Sequence, residues 1–368
     1  MSTAAPDAAG EQLGSILGAA TLLVTCGPGG VGKTTSAAAL GIAASQAGRR
    51  VVVVTVDPAR RLADALGIDV DAKMFEPHEV TGVGANGGVL WALMLDAETT
   101  FDRLIIERAG DQAKADKILA NPVYRSIAGS LAGAQDYMAI ERLHQLHSSG
   151  DYDLVIIDTP PSRDAIDLLE APDRLVRFLG HPIYRALTLP SRSFAKVTNA
   201  GTNAFLWIVR RLAGPRLVED TIDFFRSLSG MEQGLRARAA EVSELLRADT
   251  TSFVLVSSPR AEAISESIHL AEAILDGGFR LDGVVINLVH PLPPSLDGCA
   301  ELEDLADGPL AEHVAYHREL LALAESEREE MSGLINVVSG VEITEVPLLE
   351  VDVHDIDGLT RLAGLLVG

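Results

Sequence analysis

The chain has 368 residues, of which 47% are hydrophobic and 22% are charged. This composition supports a large buried core and excludes an intrinsically disordered or fibrous protein. The 30 basic and 52 acidic residues give a formal net charge of −22, which is the wrong sign for general binding to DNA or RNA. We therefore expect a globular protein whose main partner is not a nucleic acid.

The amino-terminal segment and the cysteine content favour a cytoplasmic protein. Residues 1–19 lack a basic region followed by an apolar run, so we expect a disordered lead and not a signal peptide. Cys26 and Cys299 are the two cysteines of the chain, which excludes a disulfide framework. The longest uncharged stretch, residues 12–32, contains Gly-Pro-Gly-Gly, which would break a membrane helix.

Short apolar runs recur along the chain, and most are followed by a helical pattern. In two of them Val, Ile and Leu occupy both faces, as expected for central strands covered by helices on each side. The pattern predicts an α/β fold with a mostly parallel sheet flanked by helices. The predicted strands are residues 21–26, 51–56, 89–95, 154–157, 253–256, 284–289 and 341–346.

Two intervals between these runs are far longer than a simple crossover requires. The first corresponds to a helical insertion at about residues 98–148, and the second to one at about residues 165–249. We therefore expect a single domain over residues 20–368, in which the two insertions form a helical subdomain.

Residues 27–34, GPGGVGKT, match the phosphate-loop pattern GxxxxGK[ST] between a predicted strand and an Ala-rich helix. In such a loop the backbone N–H groups turn toward phosphate oxygens at a helix N-terminus. Lys33 can bridge the β and γ phosphates, and Thr34 supplies a hydroxyl for Mg²⁺. The predicted nucleotide-binding residues here are Gly27, Gly29, Gly30, Val31, Gly32, Lys33, Thr34 and Thr35.

A phosphate loop also requires a carboxylate near Mg²⁺ and a group that orients the attacking water. Asp57 and Asp158 each follow an apolar strand, and the carboxyl ends of parallel strands are where ligands bind. The alternative for each is a helix N-cap without a catalytic role.

Five segments in chain order resemble the ArsA-like ATPases, a family that includes arsenite-pump ATPases and the cytosolic ATPases that deliver tail-anchored membrane proteins. They are GPGGVGKTT, DPARRLADAL, DTPPSRDAIDLLE, NLVHP and VPLLEVDV, within about residues 20 to 366. The chain looks closest to bacterial members of unassigned cargo. The resemblance implies a P-loop ATP hydrolase that uses ATP and Mg²⁺.

The resemblance also implies residue roles. Asp57 would activate the hydrolytic water, and Asp158 would hold Mg²⁺ through water. Asn287 would recognise adenine, and the loop around Pro347 would close over the base. From its own sequence context, Asn287 could equally cap a turn without any ligand.

One departure from the family pattern lies in the phosphate loop, where many relatives have GKGGVGK. That additional lysine reaches the partner subunit's phosphates in a dimer, but this chain has Pro28. Either hydrolysis is slow, or Arg60, Arg61 or Arg163 substitutes, or a related subunit supplies the lysine in a heterodimer. Our hypothesis is the heterodimer, with a homodimer as the alternative.

Metal-binding features of the relatives are also missing. No CxxC pair is present, so we expect no zinc, and two distant cysteines do not suggest the thiol cluster that arsenite requires. Two His pairs have helix-face spacing, and we interpret both as solvated helix positions. They are His144 with His147 and His313 with His317.

Residues 174–216 contain eight basic residues, no acidic residue, and interleaved aromatic and aliphatic side chains. Such a segment is typical of a surface that binds a hydrophobic helix or a membrane. The alternative is that it packs within its own subdomain. The protein is therefore either a nucleotide-switched carrier of hydrophobic or membrane-protein clients, which could associate peripherally with membranes, or a regulatory or metabolite-sensing ATPase. A nucleotide-binding module without turnover is the third option.

Overall fold

The computed structural model describes residues 7–56, 61–68, 76–122, 124, 132–181, 220–221, 223–224, 232–294 and 311–368. Its strands are β1 (Leu22–Cys26), β2 (Arg50–Thr55), β3 (His78–Val80), β4 (Val89–Met94), β5 (Leu154–Asp158), β6 (Thr251–Ser257), β7 (Leu281–Val289) and β8 (Glu342–Pro347). The helices with defined bounds are α1 (Asp7–Ala19), α2 (Lys33–Gln46), α3 (Arg61–Ala65), α4 (Ala97–Arg108), α5 (Gln112–Leu119), α6 (Ala132–Ser149), α7 (Ser162–Gly180), α8 (Glu232–Leu246), α9 (Ala261–Asp276), α10 (Ala311–Val337) and α11 (Ile356–Val367).

The strands form an eight-stranded sheet in the order β3-β4-β2-β5-β1-β6-β7-β8. Only β3 is antiparallel to its neighbour among these strands. The prediction of a mostly parallel α/β sheet is confirmed. The hydrophobic pattern missed β3, because this edge strand has three residues and only one of them is buried.

The order of the sheet brings the ends of β1, β2 and β5 together. Asp158, the last residue of β5, is in register with Thr25 on one side and with Thr55 on the other. The strands β1 and β5 are buried along their whole length. Helix α2 packs closely on this sheet, and a Cβ at Gly41 would lie 2.6 Å from Val53 Cγ2. Close packing of α2 fixes the position of the loop that precedes it.

The amino-terminal segment differs from its prediction. Residues 7–19, which the sequence analysis assigned to a disordered lead, form helix α1. Leu13 and Leu17 are 3% exposed and belong to the core of the sheet. Burial of such side chains contributes about 1.5–3 kcal/mol each, which explains why the helix forms despite its weak sequence signal.

The chain divides into two compact units. The first is Met1–Met94 with Ser149–Ile166 and Asp249–Gly368, and it contains the sheet. The second is Leu95–Ser148 with Asp167–Ala248, and its described secondary-structure elements are helices. The organisation as one domain with two insertions stays a prediction. In the described part of the chain, no helix combines the length and apolarity needed to span a membrane.

Candidate active site

The loop between β1 and α2 has the backbone shape of a phosphate-binding loop. Gly30 and Gly32 have φ values of 75° and 91°, in the left-handed region that favours glycine. Tertiary contacts add a second requirement, because a Cβ at Gly27 would lie 1.9 Å from the carbonyl oxygen of Val256. The glycines therefore permit both the turn and its close approach to the neighbouring strand β6.

Lys33, the first residue of α2, is buried and folds back across this loop. Its Nζ donates to the carbonyl oxygen of Pro28 at 2.6 Å. Gly32, the N-cap of α2, has no side chain to cap the helix, so the first-turn N–H groups face the loop with the positive end of the helix dipole. The loop thus combines an ammonium group with uncapped N–H donors, an arrangement suited to an anion.

A carboxylate lies next to the loop at the end of β5. Asp158 is 1% exposed, and its Oδ2 accepts hydrogen bonds from Thr34 Oγ1 at 2.6 Å and from Thr55 Oγ1 at 3.0 Å. The structure therefore brings together the two residues that the sequence analysis assigned to Mg²⁺. Thr55 was missed, although a hydroxyl directly after a run of four valines was a readable signal.

The acid expected to activate water follows directly after the described end of β2. Asp57 lies outside the described residues, as does Arg60. Val56, the residue directly before Asp57, donates its backbone N–H to the carbonyl oxygen of Asp158 at 3.1 Å. The chain is therefore held against the Asp158 segment one residue before Asp57.

Asn287 lies near the end of β7 and contacts the phosphate loop. Its Nδ2 donates to the carbonyl oxygen of Val31 at 2.9 Å, and the residue is buried. The same nitrogen would be 2.4 Å from a Cβ at Gly32. Neither of the two roles weighed from the sequence, adenine recognition and turn capping, includes this contact to the loop.

The end of β7, beyond Asn287, has an irregular backbone that neighbouring elements hold in place. Leu288 has a φ of 64°, which is uncommon for a residue other than glycine. Val289 pairs with Pro347, and the backbone N–H of Leu348 donates to the carbonyl oxygen of Val289 at 2.8 Å. Asn287 and Pro347, which the sequence analysis assigned to the base, therefore belong to neighbouring strand ends.

A His–Glu pair, which the sequence analysis also missed, holds the same end of β7. Glu327 on α10 accepts the backbone N–H of His290 at 2.9 Å on Oε2, and its Oε1 lies 2.6 Å from His290 Nδ1. Glu327 is 9% exposed. A single buried carboxylate thus binds both the main chain and the side chain of the residue that follows β7.

Cys26 ends β1 immediately before the loop, and its thiol is buried. The side chain is fully buried, and its Sγ lies 3.6 Å from the carbonyl oxygen of Val254. Burial raises the pKa of the Cys26 thiol to about 12, against a smaller opposite effect of Lys33. The thiolate needed for nucleophilic attack is therefore disfavoured. Cys299 lies outside the described residues.

The helical unit holds two features that the sequence analysis singled out. His144, interpreted as a solvated helix position, is instead buried, with Nδ1 3.0 Å from Arg238 Nη1. Arg174 forms ion pairs with Asp136 and Asp167. Residues 182–216 of the basic segment lie outside the described residues. Among the described residues, no group of three or more His, Cys, Asp or Glu is arranged to hold a metal ion.

A parallel sheet with a glycine loop at the end of its central strand, and a buried acid at the next strand end, defines the P-loop nucleotide hydrolases. A family model described as an anion-transporting ATPase of the ArsA type matches residues 20–307. The chain belongs to this family and is an ATP hydrolase. Members of this ATPase family in general use ATP together with Mg²⁺.

Individual relatives are distant but align over most of the chain. A protein of Aquifex aeolicus that bears the name arsenical pump-driving ATPase 1 is 25% identical over 94% of this chain and 78% of its own length. ATPase GET3B of Arabidopsis thaliana is 26% identical over 74% of this chain and 64% of its own length. ATPase GET3 of Malassezia globosa is 24% identical over 93% of this chain and 89% of its own length.

Proposed function

We propose that the protein is a Mg²⁺-dependent ATPase that works as a dimeric, nucleotide-driven switch in the cytoplasm. The observation that carries this proposal is the placement of Lys33 and Thr34 at the start of α2, directly after the loop, with Thr34 hydrogen-bonded to Asp158 at the end of β5. Their ammonium, hydroxyl and carboxylate groups are the functional groups that a P-loop ATPase requires.

The residues of this cluster have separate roles in the proposed site. Thr34 and Asp158 offer the oxygen ligands that Mg²⁺ prefers, with Asp158 acting through water, and the ion neutralises charge on the phosphates when bound. Lys33 exchanges the carbonyl oxygen of Pro28 for oxygens of the β and γ phosphates. Thr55 keeps the Asp158 carboxylate oriented, and Asp57 activates the attacking water.

The end of β7, which contains Asn287, is proposed to recognise the base together with the loop around Pro347. Because Asn287 donates from Nδ2 to Val31, its carbonyl oxygen is the end of the amide that can meet the base. An acceptor suits the amino group of adenine and repels the carbonyl oxygen of guanine. The contact to Val31 therefore supports a preference for ATP over GTP.

The ATPase proposal is tested by Lys33→Ala and Asp57→Asn in steady-state hydrolysis and in nucleotide binding. We expect both variants to lose at least about 100-fold in kcat, while Asp57→Asn retains ATP binding. Lys117→Ala and Asp64→Asn, two exposed positions, serve as controls. Unchanged turnover in both active-site variants would contradict the proposed roles.

Pro28 supports a dimer with a related subunit that supplies the missing lysine. Proline carries no charge, so a homodimer of this chain would have no lysine at position 28 in either subunit. We expect the chain alone to hydrolyse ATP slowly and a related GKGG-containing ATPase subunit to accelerate it. A homodimer that turns over ATP at full rate, measured together with its mass, would contradict the heterodimer.

Residues 174–216 are proposed to bind a hydrophobic client helix or a membrane surface. Their net positive charge within an acidic chain supports this, as does Phe178, which is 48% exposed. We expect hydrophobic helical peptides to be retained in one nucleotide state and released in the other. Absence of binding in both ATP and ADP would favour the regulatory or metabolite-sensing alternative.

A further inference from the structure

A glutamate lies on the buried face of α10. The buried side chains in the second half of this helix recur at helical spacing, and Glu327 takes one of their positions: Ala324, Glu327, Met331 and Leu334. A carboxylate at such a position is costly unless it is paired and hydrogen-bonded. Replacing a buried ion pair by apolar side chains is often neutral for stability. Packing alone therefore does not explain Glu327, and its contacts indicate its role.

Those contacts are with His290, the residue directly after β7. One oxygen of Glu327 accepts the backbone N–H of His290 at 2.9 Å, and the other lies 2.6 Å from Nδ1 of the imidazole. An ionised carboxylate can only accept hydrogen bonds, so Nδ1 is the donor in this contact. Both oxygens of one side chain are thus directed at a single residue of the neighbouring segment.

The pair lies beyond a stretch of β7 that the sheet does not hold regularly. Ladder pairs to β6 end at Ile286, and those to β8 shift register between Ile286 and Val289. Asn287 and Leu288 lie within this irregular stretch. Leu288 has a φ of 64° and is 37% exposed. A strained residue with so exposed a side chain keeps its conformation only through contacts on either side of it.

Two contacts hold the far side of this stretch. One is the backbone hydrogen bond from the end of β8 to Val289, and the other is the pair of His290 and Glu327. On the near side, Asn287 Nδ2 reaches the carbonyl oxygen of Val31. A shift of the strand end would move or turn this amide, and would change which of its two ends meets the base.

We propose that His290 and Glu327 are positioning residues for base recognition and set the preference for ATP over GTP. They act through Asn287, by holding the strand end at which its amide nitrogen stays on the loop and its oxygen stays available to the base. An acceptor in that place suits the amino group of adenine and repels the carbonyl oxygen of guanine. This inference rests on the proposed role of Asn287 in base recognition.

The test compares ATP and GTP affinities of the full-length chain by calorimetry with Mg²⁺, in the wild type, His290→Leu and His290→Asn. We expect His290→Leu to lower the ratio of ATP to GTP affinity by about fivefold or more, since the buried carboxylate loses a partner. His290→Asn should keep the ratio within about twofold, because its amide nitrogen replaces Nδ1 as donor. The control is His269→Leu, at an exposed histidine of α9.

The route through Asn287 is tested in the Asn287→Ala background. There the ratio should already be low, and adding His290→Leu should lower it no further. A wild-type ratio in His290→Leu, equal ratios in the Leu and Asn variants, or a further fall in the double variant would overturn the inference. The proposed base-recognition role fails in a different way, namely when Asn287→Ala itself leaves the ratio unchanged, and the inference then fails with it.

Melting temperatures without nucleotide show whether His290→Leu is folded at the assay temperature. A purely structural role would weaken ATP and GTP equally and leave the ratio unchanged, which contradicts the inference. If His290→Leu is unfolded, Glu327→Gln makes the same comparison, because glutamine retains an acceptor for the backbone N–H of His290. A wild-type ratio in that variant would overturn the inference as well.

Discussion

Gly32 shows how one residue can be required for two independent reasons. Its φ of 91° is unfavourable for any residue with a side chain. A Cβ there would also lie 2.4 Å from Asn287 Nδ2, so the amide would have to abandon its hydrogen bond to Val31. The turn of the phosphate loop and its support from β7 therefore depend on the same missing Cβ.

We expect Gly32→Ala to lower the free energy of unfolding by about 2–4 kcal/mol, as the sum of backbone strain and a lost buried hydrogen bond. Gly82→Ala is the matched control, because Gly82 has a φ of 83° and nothing within 4 Å of its Cβ position. That variant should lose about 1–2 kcal/mol. Urea unfolding without nucleotide makes the comparison, and equal losses would show that the contact with Asn287 has no effect.

At the scale of elements, α10 stabilises the end of β7 through a single carboxylate. Glu327 binds the backbone N–H and the imidazole of His290. Leu288, two residues earlier, has the strained positive φ, which persists only where surrounding contacts impose it. Helix α10 thereby supports the end of β7 that carries Asn287.

Glu327→Gln should lower both the stability of the end of β7 and the affinity for nucleotide. Glutamine has one acceptor oxygen where glutamate has two and carries no charge, so the ion pair is lost and His290 Nδ1 keeps a partner only as the tautomer that accepts from the amide nitrogen. We expect the free energy of unfolding to fall by about 1–3 kcal/mol and ATP affinity to fall by several-fold. Glu330→Gln, an exposed position on the same helix, should change neither quantity in paired unfolding and calorimetric measurements. A stable variant with unchanged ATP affinity would separate α10 from the site.

At the scale of the whole molecule, the helical unit has its own polar cluster, in which Glu141 is buried while Arg238 and Glu241 are partly exposed. Arg238 contacts Glu141 at 3.4 Å and Glu241 at 2.9 Å, and it lies against His144. Burial lowers the pKa of His144, and the charge of Arg238 lowers it further, against a smaller effect of Glu241. Burial also lowers the pKa of His147. Both imidazoles therefore resist protonation in the folded unit.

Acid should consequently destabilise the helical unit. The unfolded chain binds protons at His144 and His147 near their ordinary pKa of 6.5, while the folded unit resists protonation, so stability is lost as the pH falls below that value. We expect a lower melting temperature at pH 5.5 than at pH 7.5, measured by circular dichroism.

His144→Gln should reduce this drop in the melting temperature. His269→Gln serves as the control, because His269 is an exposed histidine on α9 of the sheet unit. An identical pH dependence in the wild type and His144→Gln would rule out the proposed contribution of His144.

The parts of the site that were predictable from the sequence are those encoded within one segment. The loop GPGGVGKT is a local pattern, and seven of the eight strands were found from short apolar runs. Thr55 and Glu327 were not identified, since their partners lie 103 and 37 positions away in the chain. No spacing rule connects such partners until the order of the strands is known.

The sequence by itself determined the phosphate loop, the acid after each of two strands, and the parallel class of the sheet, because backbone requirements and strand periodicity are local properties. The tertiary structure decided which side chains meet. The order β2-β5-β1-β6-β7 brings Asp158 to Thr34 and Thr55, and Asn287 to Val31. These contacts are set by the packing of strands that lie far apart in the chain, and the loop alone contains no information about that packing.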